Sequence, residues 1–282
     1  MLGRFSRARQ PDQQQQQQQP QQEPQQQQQQ QNVIFMSRSG LTMQREQNDN
    51  VVVITVDDDE MKLFIRKVYL YAISFILTTS CIWLIISITE YNFNRDVPVP
   101  FFVWLMLAFS FMVILQCCPN TRYIFPINWT LAIGIIVFIT LAGACIMHVY
   151  SPLTVAIVLT AAGLVVILLH LFGALCPRKA LPSSLITGCL MLVLLVALIV
   201  FMVLMLFIES PVYALVFFIL LFCVICLSIP YHAQFINGRL QIVPLLDMLW
   251  CALTIYIDFF MLFYCIAFFY IFYFQVNNQS AD

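Results

Sequence analysis

Seven apolar runs, each about as long as a membrane-spanning helix, constrain this chain more than any other feature of its sequence. They cover residues 66–89, 99–117, 127–147, 152–173, 184–207, 211–229 and 249–274, and each break between them contains proline or is directly followed by it. Because proline ends or kinks a helix, the pattern predicts seven separate transmembrane helices. Of the 282 residues, 61% are hydrophobic and only 10% are charged, which predicts an all-α integral membrane protein.

Residues 1–61 are predicted to form a disordered, glutamine-rich tail. Glutamine tracts broken by Pro20 and Pro24 dominate the segment, and apolar residues are scarce before Val33. Such a segment buries too little apolar surface to offset the entropy lost on ordering. The predicted organisation is this tail, a membrane domain over 62–275 and a short C-terminal tail over 276–282. Since no signal-peptide pattern precedes the first run, the first helix is expected to act as the targeting signal.

Lysine and arginine residues beside the runs predict the orientation of the chain. Cytoplasmic flanks of membrane helices are rich in these residues. A cytoplasmic N-terminus places Arg95 alone outside, against seven basic residues inside: Lys62, Arg66, Lys67, Arg122, Arg178, Lys179 and Arg239. We therefore expect a cytoplasmic N-terminus and a C-terminus on the lumenal or external side.

Asp258 is the one acidic residue well inside any of the seven runs. A central aspartate costs about 2.5 to 3.5 kcal/mol on membrane-insertion scales, so its presence there suggests a functional site. The alternative is a protonated or hydrogen-bonded carboxyl group that holds the seventh helix in register. Thr254 lies one helical turn earlier on the same face, and Tyr256 lies nearby on another face. Both are candidate supporting residues.

Three histidines are candidates for a proton-linked partner of this carboxylate, because histidine titrates near neutral pH. His148 and His170 end the third and fourth runs, where an interfacial or hydrogen-bonded structural role is favoured. His232 differs because it follows the kinking Pro230 and leads toward the seventh run. We predict that His232 is the pH-sensing partner of Asp258, which requires that the fold bring the two together.

The ten cysteines lie inside the apolar runs or at their ends. We expect them to be reduced thiols that face lipid or the core, rather than a disulfide framework. Cys117 and Cys118 stand at the predicted membrane edge, where fatty acylation is an option.

Several classes of protein find no support in the sequence. A G-protein-coupled receptor has its N-terminus outside, and an intramembrane aspartyl protease needs a second membrane aspartate beside Asp258. Zinc-dependent membrane hydrolases need clustered ligands, whereas the three histidines are scattered. There is also no glycine-rich nucleotide loop. We therefore expect no enzymatic activity, no cofactor, no metal site and no nucleic-acid partner.

Five short segments, in order along the chain, carry a resemblance to a known family. They are "FIRKVYLYAIS" entering the first run, "VPVPFFV", "FPIN", "YHAQFINGR" after the sixth run and "ALTIYIDFFMLF" in the seventh. Together, from about Phe64 to Phe274, they resemble the Bax inhibitor/Lifeguard family of membrane proteins. The resemblance implies a seven-helix bundle with the seventh helix central. It also implies residence in the endoplasmic reticulum, Golgi or plasma membrane, calcium leak and suppression of cell death.

The resemblance also implies a pH-sensitive gate made of two aspartates, one in a "YDTQ"-like motif of the sixth helix and one in the seventh. Asp258 matches the second aspartate, and Tyr231 and Gln234 match the motif. His232 replaces the first aspartate, and Ala233 replaces the threonine. Two close carboxylates share a proton because both cannot ionise together, whereas a protonated histidine attracts a carboxylate. This departure predicts a gate that closes on acidification.

These observations predict a Lifeguard-like regulator of cell death or intracellular calcium in the lipid bilayer. Calcium is the expected permeant ion, passing a site at Asp258 that is modulated by His232. The alternative is a non-conducting protein that binds other membrane proteins and has lost the paired-aspartate gate.

Overall fold

The computed structural model describes residues 32–37, 51–177, 184–208, 210–239 and 244–279. Its helices are α1 (Asp58–Thr89), α2 (Phe93–Asp96), α3 (Phe101–Cys117), α4 (Pro119–Tyr123), α5 (Ile127–Met147), α6 (Pro152–Leu175), α7 (Ser184–Phe207), α8 (Pro211–Ile236) and α9 (Met248–Gln279). A short 3₁₀ turn, Leu245–Asp247, precedes α9. Two strands, β1 (Asn32–Ser37) and β2 (Val51–Val56), lie before α1. Arg178 and Lys179, which entered the charge count, lie outside the described residues.

Six of the described helices are long and apolar enough to cross a membrane: α1, α5, α6, α7, α8 and α9. The predicted all-α membrane architecture is confirmed, but this number is one fewer than the seven that the sequence predicts. The difference is α3, whose 17 residues give it a length of about 26 Å. That is shorter than the hydrocarbon core of a typical bilayer, about 30 Å. Proline at position 100, directly before α3, prevents a longer helix on that side.

The edges of two predicted spans move for local reasons. Pro230 lies inside α8, and the helix continues to Ile236, one residue beyond the extension into Phe235 that the short sixth run allows, before Gly238 takes a left-handed conformation with φ 62°. The helix α6 likewise extends two residues past its predicted end, to Leu175. Ser151 caps the start of α6, since its side chain accepts a hydrogen bond from the Thr154 amide at 3.2 Å.

The segment predicted as a disordered tail contains the two strands. They pair in parallel, with Asn32 opposite Val51 and Ser37 opposite Val56. Both six-residue segments are rich in valine, isoleucine and other residues that favour strands. Residues 1–31 and 38–50 of the predicted tail lie outside the described residues. At the other end, α9 continues to Gln279 and so includes most of the predicted C-terminal tail.

Helix α9 packs against four other long helices, α1, α5, α6 and α8. It is buried on several faces, and its most buried side chains are Leu253, Tyr256, Phe260, Leu262, Phe263 and Cys265. The helices α3 and α7 pack mainly on α5 and α8, respectively. Many large apolar side chains of α7 are exposed, as lipid-facing positions require.

Contacts between connections define one end of the bundle, here called the basic end. The guanidinium of Arg239 donates to the Cys176 carbonyl at 2.9 Å, and Arg122 lies 3.6 Å from the Asp247 carboxylate. The first turns of α1 pack near the start of α9, through Phe64, Val68, Ala252 and Ile255. Of the residues in described positions, Lys62, Arg66, Lys67, Arg122 and Arg239 lie at this end or in the first turns beside it.

The opposite end is defined by two hydrogen bonds. Ser87, near the end of α1, donates to the Tyr150 carbonyl at 2.6 Å. Asn94 in α2 donates to the Cys145 carbonyl, near the end of α5, at 2.8 Å. Arg95 lies at this end. Arg95 and the five basic residues of the basic end therefore lie at opposite ends of the bundle, as the charge count predicts for these six residues.

A glycine on α5 makes room for the largest buried side chain of α1. A Cβ atom on Gly143 would lie 2.1 Å from the ring of Trp83, which is fully buried and donates to the Thr140 carbonyl. We expect Gly143→Ala to destabilise the bundle by about 1 to 3 kcal/mol, because the indole must shift. Gly188→Ala on α7 is the matched control, since a Cβ atom there meets no neighbour within 4 Å. The measurement is the melting temperature of the purified chain in detergent. Equal melting temperatures for the two variants would contradict the packing argument.

Candidate functional site: an intramembrane histidine and aspartate

His232 on α8 and Asp258 on α9 are in direct contact inside the helix bundle. The Nδ1 atom of His232 lies 2.8 Å from Oδ2 of Asp258, with the ring N–H donating to the carboxylate. Asp258 is 7% exposed, whereas the His232 side chain is 34% exposed. The pair therefore joins a buried carboxylate to a ring that reaches the surface of the bundle.

The pair depends on the continuation of α8 beyond Pro230. Because the helix runs on to Ile236, His232 stays on a regular helical face within the contact between α8 and α9. The structure thus brings together the two residues that the sequence predicted as partners. Their role in pH sensing or ion binding stays a prediction.

The four predicted supporting residues lie in different surroundings. Thr254 donates to the Trp250 carbonyl of its own helix at 2.9 Å. Tyr256 is fully buried. Gln234 is buried too, and its Nε2 atom has no hydrogen-bond partner among the described residues. Tyr231 is only partly buried. Hydrogen bonding to Asp258 is therefore observed for His232 and for none of these four within the described part of the chain.

Tyr256 belongs to a separate chain of buried hydroxyl groups. Its hydroxyl lies 3.0 Å from Oγ1 of Thr79, which lies 2.9 Å from Oγ1 of Thr140. Thr140 donates to the Ile136 carbonyl at 2.7 Å. Because Thr140 donates to the carbonyl, Thr79 donates to Thr140, and the single hydroxyl proton of Tyr256 is shared between Thr79 and the Ile136 carbonyl, 3.3 Å from the Tyr256 oxygen. This chain joins α9 to α1 and α5.

The hydroxyl chain and the His232 pair act on different faces of α9. Tyr256 and Asp258 are two residues apart, which places their side chains about 200° apart around a helix. The Tyr256 face contacts α1 and α5, whereas the Asp258 face contacts α8. Helix α9 is thus hydrogen-bonded to neighbours on nearly opposite sides.

His170 is a third histidine near the site, and the sequence favours an interfacial or hydrogen-bonded structural role for it. It is 5% exposed on α6, its Nδ1 donates to the Val166 carbonyl at 3.1 Å, and its Nε2 has no hydrogen-bond partner among the described residues. It interacts electrostatically with both Asp258 and His232. The bond to Val166 agrees with the hydrogen-bonded role, whereas the interaction with the other two side chains was not predicted.

The chain matches the sequence model of the family described as "Inhibitor of apoptosis-promoting Bax1" over residues 61–277. The chain belongs to this family. The match covers most of the protein and includes both His232 and Asp258, so the predicted resemblance to the Bax inhibitor/Lifeguard family is confirmed. Neither a curated protein nor a solved structure matches the chain.

The site offers few side-chain ligands for a metal ion. Among the described residues, no group of three or more histidine, cysteine, aspartate or glutamate side chains is placed to hold a metal ion. A structural zinc site takes four such ligands, and calcium takes six to eight oxygen ligands. His232 and Asp258 alone do not form such a cage. Any cation at Asp258 would therefore be held weakly, with water or backbone carbonyls supplying most of the ligands.

The charge of the His232 ring determines what the pair can do. With a neutral ring, one N–H donates to a carboxylate. With an imidazolium ring, the same contact becomes an ion pair, in which the attraction of opposite charges adds to the hydrogen bond. Separating the helices would leave the Asp258 carboxylate buried and uncompensated, which is strongly unfavourable. Protonation of the ring is therefore predicted to strengthen the contact between α8 and α9.

The hydroxyl chain predicts a measurable coupling between Thr79 and Tyr256. In a double-mutant cycle with Thr79→Val and Tyr256→Phe, we expect a coupling free energy of about 0.6 kcal/mol, and at most about 1.7, as for other hydrogen bonds between membrane helices. The two hydroxyls are in contact on different helices. Reversible unfolding of the purified chain with increasing denaturing detergent measures it. Thr254→Val is the control partner for Tyr256→Phe, because its hydroxyl is bonded within its own helix. Purely additive losses for Thr79 and Tyr256 would contradict the chain of hydroxyls.

Proposed function

We propose that this chain is a Lifeguard-like membrane protein that regulates cell death, intracellular calcium or both, through a calcium leak controlled at Asp258. The observation that supports this proposal is the hydrogen bond between His232 and Asp258 inside a bundle of apolar helices. An ionisable residue within a membrane-spanning segment marks a functional site by default, and calcium prefers oxygen ligands such as carboxylates. The proposed role involves neither an enzymatic step nor a cofactor.

The proposal includes seven transmembrane spans, with α3 as the second and α9 as a central seventh. Support comes from the meeting of the starts of α1 and α9 at the basic end. Five crossings, by α1, α5, α6, α7 and α8, would put the start of α9 at the opposite end. A sixth crossing by α3 puts it at the basic end. The contacts of α9 with α1, α5, α6 and α8 support its central position.

The proposed orientation places the basic end in the cytoplasm. Lysine and arginine are enriched in short cytoplasmic flanks. The N-terminus is then cytoplasmic and the C-terminus is lumenal or external. Endoplasmic reticulum, Golgi and plasma membrane are the proposed compartments, as family membership suggests.

In the proposed mechanism, the contact between α8 and α9 is the gate. Protonation of His232 strengthens its attraction to Asp258, holds α8 against α9 and closes the path. Loss of that proton weakens the contact, so a cation can replace the ring as the partner of the carboxylate. Acidification therefore reduces the leak, and a rise in pH increases it.

The second candidate function is a non-conducting protein that acts by binding other membrane proteins. One observation favours it: His232 stands where the family gate has a second carboxylate, which leaves one carboxylate to attract a cation. Ion flux through the purified chain distinguishes the two functions.

Removal of the Asp258 charge tests permeation. In proteoliposomes with an internal calcium indicator at pH 8, we expect Asp258→Asn to lower calcium flux about tenfold, equivalent to roughly 1.4 kcal/mol. The reason is that the carboxylate provides the negative charge that attracts the cation. Asp96→Asn is the matched control, since this exposed aspartate lies at the opposite end beside Tyr91. Unchanged flux in Asp258→Asn would reject permeation through this site and favour the non-conducting function.

Replacement of His232 tests the direction of the gate. We expect flux through the natural chain to fall between pH 8 and pH 6, and flux through His232→Gln to vary little, because glutamine cannot gain the proton. His148→Gln, at the opposite end of the bundle, is the matched histidine control and should keep the pH dependence. A flux that rises on acidification in the natural chain, but not in His232→Ala, would contradict the proposed closure.

A further inference from the structure

We propose that Cys117 and Cys118 carry fatty acyl chains in thioester linkage, which anchor the basic end of α3 to the membrane. Cys117 is the last residue of α3, and Cys118 is the residue that follows. Both side chains are exposed. Cysteines at the edge of a transmembrane helix are the usual sites of reversible S-acylation.

The length of α3 provides an independent reason for such an anchor. At about 26 Å, this helix is about 4 Å shorter than a typical hydrocarbon core, although it packs along the full-length α5. A short span is accommodated by local thinning of the bilayer or by flanking groups that extend between the hydrocarbon core and the interface. Acyl chains on the two cysteines would enter the hydrocarbon core beside the end of α3. They would fill the part of the core that this short helix does not reach.

The residues after the cysteines indicate that this end of α3 lies at the membrane surface. Tyr123, Ile124 and Phe125 are each at least about half exposed, and Phe125 reaches 77%. Such a group of exposed apolar and aromatic side chains suits the interface between headgroups and hydrocarbon, where aromatic residues concentrate. Cys117 and Cys118 therefore lie at the depth where a membrane-bound acyltransferase works.

Cys176 provides a contrast at the same end of the bundle. It follows α6, its carbonyl accepts the hydrogen bond from Arg239, and it is 8% exposed. Its sulfur is therefore shielded from a transferase, whereas those of Cys117 and Cys118 are accessible. The inference rests on the orientation proposed above, since long-chain acyl donors and their transferases act on the cytoplasmic side.

The chemistry is a transthioesterification. The sulfur of Cys117 or Cys118 attacks the thioester carbonyl carbon of a long-chain acyl-coenzyme A. A carbon–sulfur bond to the cysteine forms, and the bond to coenzyme A breaks. Coenzyme A leaves as a thiol and takes the proton that the cysteine loses, so no oxidant or reductant is needed.

The test is acyl exchange on the full-length chain, carrying an N-terminal tag and expressed in animal cells. Disulfides are reduced, free thiols are blocked with N-ethylmaleimide, thioesters are cleaved with neutral hydroxylamine, and the released thiols are labelled with a polyethylene glycol maleimide. We expect two hydroxylamine-dependent mobility steps. Cys117→Ser and Cys118→Ser should each remove one step, and the double variant should remove both. Cys176→Ser and Cys223→Ser, the latter inside α8, should keep both steps.

Two outcomes would overturn the proposal: no hydroxylamine-dependent step in the natural chain, or steps that persist in the double variant. Access of an antibody to the N-terminal tag, after selective permeabilisation of the plasma membrane, reports the orientation in the same cells. A missing step with a cytoplasmic tag refutes acylation alone. If the step is missing and the tag is lumenal, the missing step refutes acylation and the position of the tag refutes the proposed orientation. Calcium flux through the double variant in proteoliposomes tests the leak proposal independently of acylation and of orientation.

Discussion

The burial of α9 among four helices is the constraint on which the rest of this structure depends. Inside a bilayer there is little water to satisfy polar groups, so each polar side chain of this helix needs a partner within the protein. Asp258 has His232, Tyr256 has Thr79, and Thr254 has a carbonyl of its own helix. The neighbouring helices thus provide hydrogen-bond partners for α9 in addition to apolar packing.

The chemical nature of these partners differs between the two sides of α9. On the side of α1 and α5, hydroxyl groups join the helices, and hydroxyls keep the same charge across the physiological pH range. On the side of α8, the partner is the imidazole of His232, and imidazole is the side-chain group that ordinarily titrates near neutral pH. In the proposed gate, a pH change therefore acts on the α8 side of α9, while the hydroxyl groups hold α9 against α1 and α5.

The sequence predicted the long helices and the His232 contact because length, proline positions and an intramembrane charge are local signals. It did not predict the short α3 as an exception, since its run began at Val99 while the helix begins after Pro100. It did not place His170 near His232 and Asp258, because the burial of a side chain near the end of a helix depends on which neighbours cover it. Helical geometry alone predicted that Tyr256 and Asp258 lie on different faces of their helix. Their partners Thr79 and Thr140 were not, because both are ordinary residues in apolar runs.

Small side chains allow α6 and α8 to pack closely beside His232. A Cβ atom on Gly173 would lie 2.4 Å from the Pro230 carbonyl oxygen and 2.9 Å from the Cβ atom of Ala233. Ala233 is fully buried, so a larger side chain such as threonine at this position would add two atoms to a closely packed contact. The alanine at 233 thus allows α8 to sit against α6, and the histidine at 232 extends from the adjacent position toward α9. In physical terms, two adjacent residues of α8 join it to two neighbouring helices, because Ala233 packs closely on α6 and His232 donates a hydrogen bond to Asp258 on α9.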